Sequence, residues 1–488
     1  MVIESLKYKI LQQFGFAPTQ EQGQALDTFV SFLTDRDPQA VMILRGSAGT
    51  GKTSLSGAIV RTLLQIRQKV MLLAPTGRAA KVFSLGSGAP AYTIHRRIYR
   101  EKAFAGVDGQ FSLNDNLYTD TLFMVDEASM IANMGLGGTT FGSGCLLDDL
   151  VKFVYQGHND RLLLIGDKAQ LPPVGEEESP ALSASVMEGY GLKVYECDLN
   201  EVLRQSQSSG ILYNATLIRQ MITHDAVTGL PLIRFKGFAD IVMMPGAELV
   251  ESLGDSYHHV GMDETMVITR SNKRANIYNN GIRNMVLDRE EELSSGDMLM
   301  IVKNNYFWTE KEKKESGEGS AGAVPAFLAN GDRAKVLRVS NYIELYGFRF
   351  ATLLLQLPDY DDYEMQVTGM LDTLQSEAPA LTHEQQEELF RQVEEDYQHF
   401  VPLKADRMKS IRQDAYFNAL QIKYAYAVTC HKAQGGQWAH VYVDQGYMTD
   451  DMLTPDYIHW LYTAFTRATD KLFLVNWPKE QTSEPTDL

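Results

Sequence analysis

A phosphate-binding loop is the feature that most constrains how this chain can fold. The stretch RGSAGTGKTS, residues 45–54, fits the pattern G-x-x-x-x-G-K-[ST]. It follows the apolar run VMILR and precedes the helix-compatible run LSGAIVRTLL, and this order of strand, loop and helix makes the pattern specific. Backbone N–H groups and the helix N-terminus would hold phosphates, Lys52 would neutralise them, and the Thr53 hydroxyl would ligate Mg²⁺. The residues expected to contact the nucleotide are Gly46, Ser47, Ala48, Gly49, Thr50, Gly51, Lys52, Thr53 and Ser54.

The rest of the chain predicts a multidomain α/β protein. A chain of 488 residues is too long to fold around one compact core and is long enough for two to four domains. Short β-type runs between 41 and 199 alternate with helical patterns at 52–66, 145–156 and 180–188, which is typical of a parallel sheet covered by helices. A second alternating set begins near 209. We therefore predict a first domain over 1–205 and a second over 206–303 and 419–488.

Two interruptions of this alternation predict insertions. The shorter, about 97–120, contains AFAGVDGQFSL, in which Val107-Asp108-Gly109 predicts a hairpin tip. The longer, 304–418, begins with the charged, Gly-rich stretch TEKEKKESGEGSAGA, which we expect to be mobile. Strand-like alternation then predicts a small barrel, and Thr382 and Gln385 have the capping-box spacing that begins a helix.

Composition restricts the class of protein and its location. The net charge of −17 argues against a surface coated in positive potential, but acidic runs such as 359–364 lie apart from basic stretches such as HRRIYREK. An acidic exterior is therefore compatible with a basic groove. Cys145, Cys197 and Cys430 lack the CxxC spacing of zinc sites and disulfide frameworks. No window reaches the ~18 apolar residues of a membrane span, so we predict a cytoplasmic protein that does not contact a membrane.

Two acids follow the apolar strand TLFMV. Asp126 can hold the magnesium shell, and Glu127 can orient and deprotonate an attacking water. An acid pair after a strand is unspecific alone, because strand ends commonly carry solvated carboxylates. Its combination with the phosphate-binding loop predicts a nucleoside triphosphatase.

The stretch LLLIGDKAQLPPVG, residues 162–175, predicts a phosphate sensor. It ends an apolar strand in polar residues and continues into a rigid double proline. We expect Gln170 to read the terminal phosphate and Leu171-Pro172-Pro173 to transmit its presence to the neighbouring domain. A simple polar turn is the alternative.

From this point the chain resembles a known family, the superfamily 1 DNA helicases, in the 5′→3′ branch with RecD-like, Dda-like and Pif-type enzymes. The resemblance runs from about Phe16 to Trp477 through segments that occur in the family's order. These segments are PTQEQGQAL, the phosphate-binding loop, APTGRAAK at 74–81, TIHR at 93–96, VDE, GDKAQ, LNEVLRQ at 199–205, YAVTCHKAQGGQW at 426–438 and LYTAFTRA at 461–468. The resemblance implies two RecA-like domains with an ATP site between them, a pin insertion in the first, and an SH3-like barrel with a helical extension in the second.

The resemblance also assigns residues around the nucleotide. Gln22 would contact adenine, Arg204 would approach the terminal phosphate, and Arg467 would be the arginine finger that acts when the domains close. Gly435 and Gln437 would also lie at the nucleotide. The family usually has a small residue and an acid after HKAQG, whereas this chain has Gly436 and Gln437, so residue 437 offers no carboxylate to a ribose.

The same resemblance predicts contacts to single-stranded DNA that do not read sequence. The residues expected to make them are Pro75, Thr76, His95, Thr429 and His431. Phe104 and Phe111 would flank the pin and stack on the last base pair. A two-stranded flap packed on its own domain is the alternative for the pin, and a structural role is the alternative for each histidine.

Together these features predict an ATP-dependent 5′→3′ DNA helicase that uses Mg²⁺, translocates on single-stranded DNA and separates duplex. The expected partners are single-stranded DNA, forked or tailed duplex, and single-strand-binding, replication or recombination proteins. The alternatives are an ATP-driven translocase or RNA helicase that does not open DNA duplex, and a motor-fold subunit that acts mainly as a binding scaffold in a recombination or conjugation complex. Intact Lys52, Glu127, Gln170 and Arg467 argue against a scaffold, and we expect a monomer.

Overall fold

The computed structural model describes residues 2–105, 108–135, 142–201, 208–223, 229–316, 324–325, 327–449 and 452–483. In chain order the strands are β1 (Ala40–Gly46), β2 (Lys69–Ala74), β3 (Ala91–Thr93), β4 (Tyr99–Ala105), β5 (Asp108–Leu113), β6 (Thr121–Val125), β7 (Arg161–Gly166), β8 (Lys193–Leu199), β9 (Ile241–Met244), β10 (Thr265–Thr269), β11 (Met298–Ile301), β12 (Arg333–Leu345), β13 (Phe348–Leu357), β14 (Tyr363–Met370), β15 (Leu420–Tyr424), β16 (Ala427–Thr429), β17 (Trp438–Asp444) and β18 (Ala468–Val475). The helices are α1 (Val2–Phe14), α2 (Gln20–Leu33), α3 (Lys52–Gln65), α4 (Gly77–Ser87), α5 (Ile94–Ile98), α6 (Leu146–Gln156), α7 (Ala184–Gly189), α8 (Gly210–Thr223), α9 (Leu249–His259), α10 (Asn272–Gly281), α11 (Phe307–Ser316), α12 (His383–Gln398), α13 (Lys404–Arg412), α14 (Cys430–Ala433) and α15 (Pro455–Phe465).

The first sheet has six parallel strands in the order β3-β2-β6-β7-β1-β8. Strands β1, β6 and β7 are buried along their whole length, as expected for apolar runs covered on both faces. Helices α1, α2 and α3 contribute Ile10, Phe29 and Leu63 to the core on one face, and α6 contributes Leu150 and Phe153 to the core on the other. The prediction of a parallel α/β sheet is confirmed for this part of the chain.

The second sheet has five parallel strands in the order β16-β10-β17-β18-β9, and the chain between β10 and β16 folds into a closed barrel of β11 to β15. The small barrel was predicted, but its extent differs from the expected range of 304–418. Strands β11 and β15 lie outside that range and belong to the barrel, not to the second sheet. One continuous apolar core joins the barrel to the second sheet.

The charged stretch at the start of the insertion, which was expected to be mobile, is helical over its first half. Residues 309–316 belong to helix α11, whereas 317–323 lie outside the described residues. Lysine and glutamate are good helix formers, and Trp308 anchors the helix because its Nε1 donates to Asn418 O at 2.9 Å. Local helix propensity and the buried Trp308 ring thus make these residues helical in spite of their polar composition.

The helical extension of the barrel begins at the predicted capping box. Thr382 Oγ1 accepts from Gln385 N, and the Gln385 side chain accepts from Thr382 N. Leu389 and Val393 of α12 then pack with Ile411 of α13 against the end of the barrel.

The shorter insertion forms the antiparallel hairpin β4-β5. Asp108 and Gly109 belong to strand β5, not to the hairpin tip in which they were predicted. Val107, the third residue of the predicted tip, lies outside the described residues.

Two expectations from composition can be compared with the described part of the chain. It contains no helix that is long and apolar enough to cross a membrane. All three cysteines are free, and within the same residues no cluster of His, Cys, Asp and Glu has the arrangement of a metal site.

Candidate nucleotide site and nucleic-acid interface

The phosphate-binding loop is shaped by its glycines and closed around Lys52. Gly49 and Gly51 have φ of 77° and 81°, in the left-handed region that glycine adopts without strain. A Cβ on Gly46 would lie 2.8 Å from Lys52 Cγ, so only glycine lets the lysine pass. Lys52 Nζ donates to Ser47 O at 2.9 Å and also to Gly46 O. The ammonium therefore lies at the centre of the loop.

Gln22 lies behind the loop and fixes it to helix α2. Its Nε2 donates to Thr50 O at 2.9 Å, and its Oε1 accepts from Thr19 N at 3.0 Å in a capping box. The side chain is 1% exposed. Its contact with adenine stays a prediction, and the structure gives it a second task in holding the loop.

Asp126 and Glu127 follow strand β6 as predicted and face the loop. Glu127 has φ of 53°, which turns the chain sharply after the strand. Burial, and then the neighbouring Glu127 charge, raise the pKa of Asp126 to about 7, whereas Lys52 lowers it. Thr53, Asp126 and Glu127 line the same cleft and offer the oxygen donors that Mg²⁺ prefers. A divalent cation would relieve the repulsion between the two acids, so these residues fit the predicted metal.

The Gln170 segment leads from this site to the second domain. Leu171 N donates to Thr463 Oγ1 at 2.8 Å, and Gln434 Nε2 donates to Leu171 O at 2.7 Å. Gln170 is 7% exposed, and its Oε1 has no hydrogen-bond partner within the described residues. A buried acceptor without a partner is costly, so it indicates a position where a water or ligand donor fits.

Tyr462 of α15 makes a second bridge between the domains. Its hydroxyl donates to Asp167 Oδ2 at 2.6 Å and accepts from Ala48 N at 3.0 Å. Burial and the Asp167 charge raise the pKa of Tyr462 well above its ordinary value. One hydroxyl of the second domain thus holds both the phosphate-binding loop and the loop after β7.

The Tyr462→Phe substitution is expected to destabilise the protein, because it leaves a buried carboxylate oxygen and a loop N–H each short of a partner. The expected loss in the free energy of unfolding is about 1–3 kcal/mol, measured by urea denaturation. Tyr447→Phe is the matched control, since Tyr447 is 81% exposed and should give no change. Equal denaturation midpoints for Tyr462→Phe and the wild type would show that this bridge contributes nothing.

Arg467 lies on the opposite wall of the cleft from the loop. Its Nη1 donates to Gly436 O and its Nε to Thr463 O, both at 3.1 Å, and the residue is 2% exposed. Arg204, the second predicted arginine, lies outside the described residues.

Sequence reasoning missed Arg219 of helix α8. Its guanidinium donates to Ser47 Oγ and, at 3.3 Å, to Asn200 Oδ1. No motif marks Arg219, and single arginines on helices are usually surface ion pairs. Only the position of α8 beside the phosphate-binding loop reveals it.

These elements enclose one cleft of about 440 Å³. The predicted nucleotide-site residues that line it are Ser47, Ala48, Gly49, Gly51, Lys52, Thr53, Ser54, Asp126, Glu127, Gln170, Gly435, Gln437 and Arg467. Gln22, Gly46 and Thr50 are not in this lining. The structure thus brings residues more than 400 positions apart to one place, and their individual roles stay predictions.

The predicted DNA-contacting segments of the two domains touch each other. Thr76 caps helix α4, and its Oγ1 accepts from Ala79 N at 3.2 Å; Pro75 precedes it, and Thr429 is the N-cap of α14. A Cβ on Gly435 would lie 3.1 Å from Thr76 Oγ1. Arg78 Nη2 donates to Gln437 O at 2.5 Å. The N-terminal turn of α4 in one domain therefore meets the segment that follows α14 in the other.

The two predicted histidines differ in their surroundings. Burial lowers the pKa of His95 to about 4, although the Asp149 charge opposes this, so His95 is neutral near pH 7. It can donate a hydrogen bond to a phosphate but cannot contribute a charge. His431 is exposed at the start of α14.

The pin residues are only partly visible. The Phe111 ring lies 4.6 Å from the Tyr306 ring at 33°, so it packs on the barrel insertion. The side chain of Phe104 lies outside the described part of the structure. Stacking on a base pair stays a prediction for both.

Two known domain families match the two walls of the cleft. Residues 17–229 match the AAA domain, and residues 424–475 match the UvrD-like helicase C-terminal domain. The first contains the phosphate-binding loop and the acids, and the second contains Arg467. Both matches agree with the resemblance to the superfamily 1 helicases that the motifs predict.

Two relatives of this chain carry names that describe an activity. The ATP-dependent RecD2 DNA helicase of Deinococcus radiodurans is 30% identical over 32% of this chain and 18% of its own length. The ATP-dependent DNA helicase dda of Enterobacteria phage T4 is 25% identical over 53% of this chain and 55% of its own. The matches thus span less than two thirds of either relative.

Among solved structures, this chain is similar to the Pif1 helicase from Bacteroides in complex with ADP-AlF3 and ssDNA. The alignment covers 96% of this chain and 95% of the Pif1 chain. The sequence identity is 13% and the TM-score is 0.46.

Proposed function

We propose that this protein is an ATP-dependent 5′→3′ DNA helicase that works as a monomer in the cytoplasm. The observation that carries this is the cleft in which Lys52, Glu127 and Gln170 of one α/β domain face Arg467 of the other. Both named relatives are ATP-dependent DNA helicases, and this cleft lies within the families that match the chain.

The domain layout that we propose follows the sheets. Residues 1–205 form a RecA-like domain that carries the hairpin, and 206–297 with 425–488 form a second RecA-like domain. Residues 298–424 form an SH3-like barrel extended by α12 and α13. The barrel boundaries differ from the sequence prediction because β11 and β15 pair within the barrel.

The proposed chemistry assigns one task to each wall. Glu127 takes the proton of the attacking water, and the unpaired Oε1 of Gln170 orients that water. Thr53 and Asp126 would hold Mg²⁺, which neutralises phosphate charge when bound. Arg467, assisted by Arg219 or Arg204, stabilises the charge that develops on the transferred phosphoryl group. Because Arg467 and Arg219 belong to the second domain, hydrolysis requires that domain to close.

Coupling to movement runs through the Gln170 segment. Gln170 faces the cleft, and the next residue, Leu171, is bound through both backbone groups to the second domain. A shift of Gln170 on loss of the terminal phosphate therefore moves the contact with α15. A change of bound nucleotide thus drives the motion of one domain relative to the other along single-stranded DNA. In this proposal Thr76 and Thr429 bind the strand, and Pro75, His95 and His431 lie beside it.

The hairpin β4-β5 is the proposed wedge. Phe111 O accepts from Gly142 N at 2.8 Å, and the Phe111 ring packs on Tyr306. The hairpin is thus supported from its own domain and from the barrel insertion, and a wedge needs such support to resist a duplex. The alternative is that the hairpin is a flap that only packs on its neighbours. The protein would then be a translocase that moves on DNA without opening duplex.

Duplexes with a single-stranded tail on either the 5′ or the 3′ end test the proposed function. We expect ATP-dependent unwinding of the 5′-tailed duplex and none of the 3′-tailed one, measured by strand displacement. A blunt duplex and an RNA duplex of the same sequence are the controls. Unwinding from the 3′ tail alone would contradict the polarity, and DNA-stimulated hydrolysis without any unwinding would identify a translocase.

A further inference from the structure

A second groove lies between the hairpin, helix α11 and the α12–α13 extension. Its volume is about 640 Å³, within the roughly 300–1,000 Å³ of ordinary ligand sites. Its lining residues come from β5, from the segment between β11 and α11, from α11 itself and from 381–421, together with Asn330. Within the described residues it shares no lining residue with the nucleotide cleft. The groove is therefore a separate site.

Aromatic rings line this groove and form a row at its edge. Phe111, Tyr306, Phe307 and Phe417 all contribute to the lining, and all are partly exposed. Tyr306 stacks on Phe327 at 4.7 Å and 22°, and Phe111 lies against Tyr306. Phe327 and Phe111 already cover the Tyr306 ring, so Phe307 and Phe417 are the partly exposed rings on which nucleic-acid bases could stack irrespective of sequence.

The charge of the groove is opposite to that of the protein. The chain carries −17 overall, yet cations outnumber carboxylates in this lining. The cations are Lys303, Lys311, Lys314 and Arg412, and the carboxylates are Glu310 and Glu315. On the same helix, burial and the nearby Arg96 charge lower the pKa of Lys313. Positive charge concentrated in this way favours a polyanion.

We propose that this groove binds the displaced DNA strand, the one on which the protein does not translocate. This inference rests on the proposed helicase function. Phe111 belongs to the proposed wedge and also lines the groove, so a strand deflected by the hairpin enters the groove directly. Rings that stack bases and lysines that meet phosphates bind single strands without reading sequence. The groove thereby keeps the separated strands apart.

Two lysines on one helix allow a matched test. Lys311 and Lys314 are exposed groove residues of α11, so Lys311→Ala with Lys314→Ala removes two charges without opening a core. Lys404 and Lys409 of α13 are exposed and do not line the groove, so their double alanine variant is the control. Binding is measured without ATP by fluorescence anisotropy, on a 5′-tailed duplex and on a fork with an added non-complementary oligothymidine arm.

The wild type should bind the fork more tightly than the tailed duplex, and the α11 variant should lose this difference whereas the α13 control keeps it. Each lost phosphate contact to a single strand lowers the slope of log K against log salt by ~0.7, so the fork slope should fall by about 1.4 for the α11 variant. Single-strand-stimulated ATPase should be unchanged.

An unchanged fork preference in the α11 variant would overturn the proposal. A second result would also overturn it. If the added arm does not change the affinity for DNA but an acidic peptide binds the groove, the groove is a binding site for protein. Failure of the helicase function itself gives a different result, since the wild type would then lack DNA-stimulated hydrolysis and unwinding whatever its fork preference.

Discussion

Glu127→Gln is expected to stop ATP hydrolysis and to leave ATP binding intact. The amide has nearly the shape of the carboxylate but cannot take a proton from water, and a positioned general base contributes about 10²–10⁴-fold. The loss of kcat should therefore reach at least ~100-fold. Binding persists because Lys52 and the loop N–H groups are unchanged. Phosphate release and the affinity for a fluorescent ATP analogue measure the two effects separately.

Two further variants show that the effect is specific to this carboxylate. Lys52→Ala should weaken both binding and turnover, because it removes the charge at the centre of the loop. Glu178→Gln, on the exposed acidic run after the double proline, should behave like the wild type. Hydrolysis by Glu127→Gln at the wild-type rate would show that another group activates the water.

Removal of Ala105 to Gln110 from the hairpin is expected to uncouple hydrolysis from strand separation. Among the residues that the structure describes, none of this hairpin lines the nucleotide cleft, so single-strand-stimulated ATPase should stay near the wild-type rate. Opening a duplex costs roughly 1.4 kcal/mol per base-pair step on average, and without a rigid obstacle the motor has nothing to open it against. Unwinding of a 5′-tailed duplex should fall at least tenfold.

Displacement of streptavidin from the end of a single strand is the control, because it reports translocation without duplex opening and should be unaffected. The deletion keeps Phe111, the residue that contacts Tyr306, so loss of unwinding would locate the wedge in the removed segment. If the deleted protein unwinds as fast as the wild type, the hairpin is a flap and the wedge lies elsewhere, the barrel insertion being the next candidate.

The sequence by itself determined the elements whose structure is local. The glycines of the phosphate-binding loop, the acids after β6 and the capping box of α12 each depend on residues within about ten positions, and each appears where it was predicted. Alternation of apolar runs with helices likewise predicted an α/β protein with a small barrel. Short-range backbone and side-chain preferences decide such features, and the sequence displays them directly.

The tertiary structure decided which elements belong together. β11 and β15 are buried runs of four and five residues, and such a run has the same pattern whether it pairs in a parallel sheet or in a barrel. The approach of Arg219 to Ser47, the bridge through Tyr462 and the contact of Phe111 with Tyr306 join residues 172, 414 and 195 positions apart. No local preference encodes these contacts, because they arise only when separate domains pack against one another. The groove at α11 is of the same kind, since its rings and charges come from the two insertions of the chain, which meet only in the folded protein.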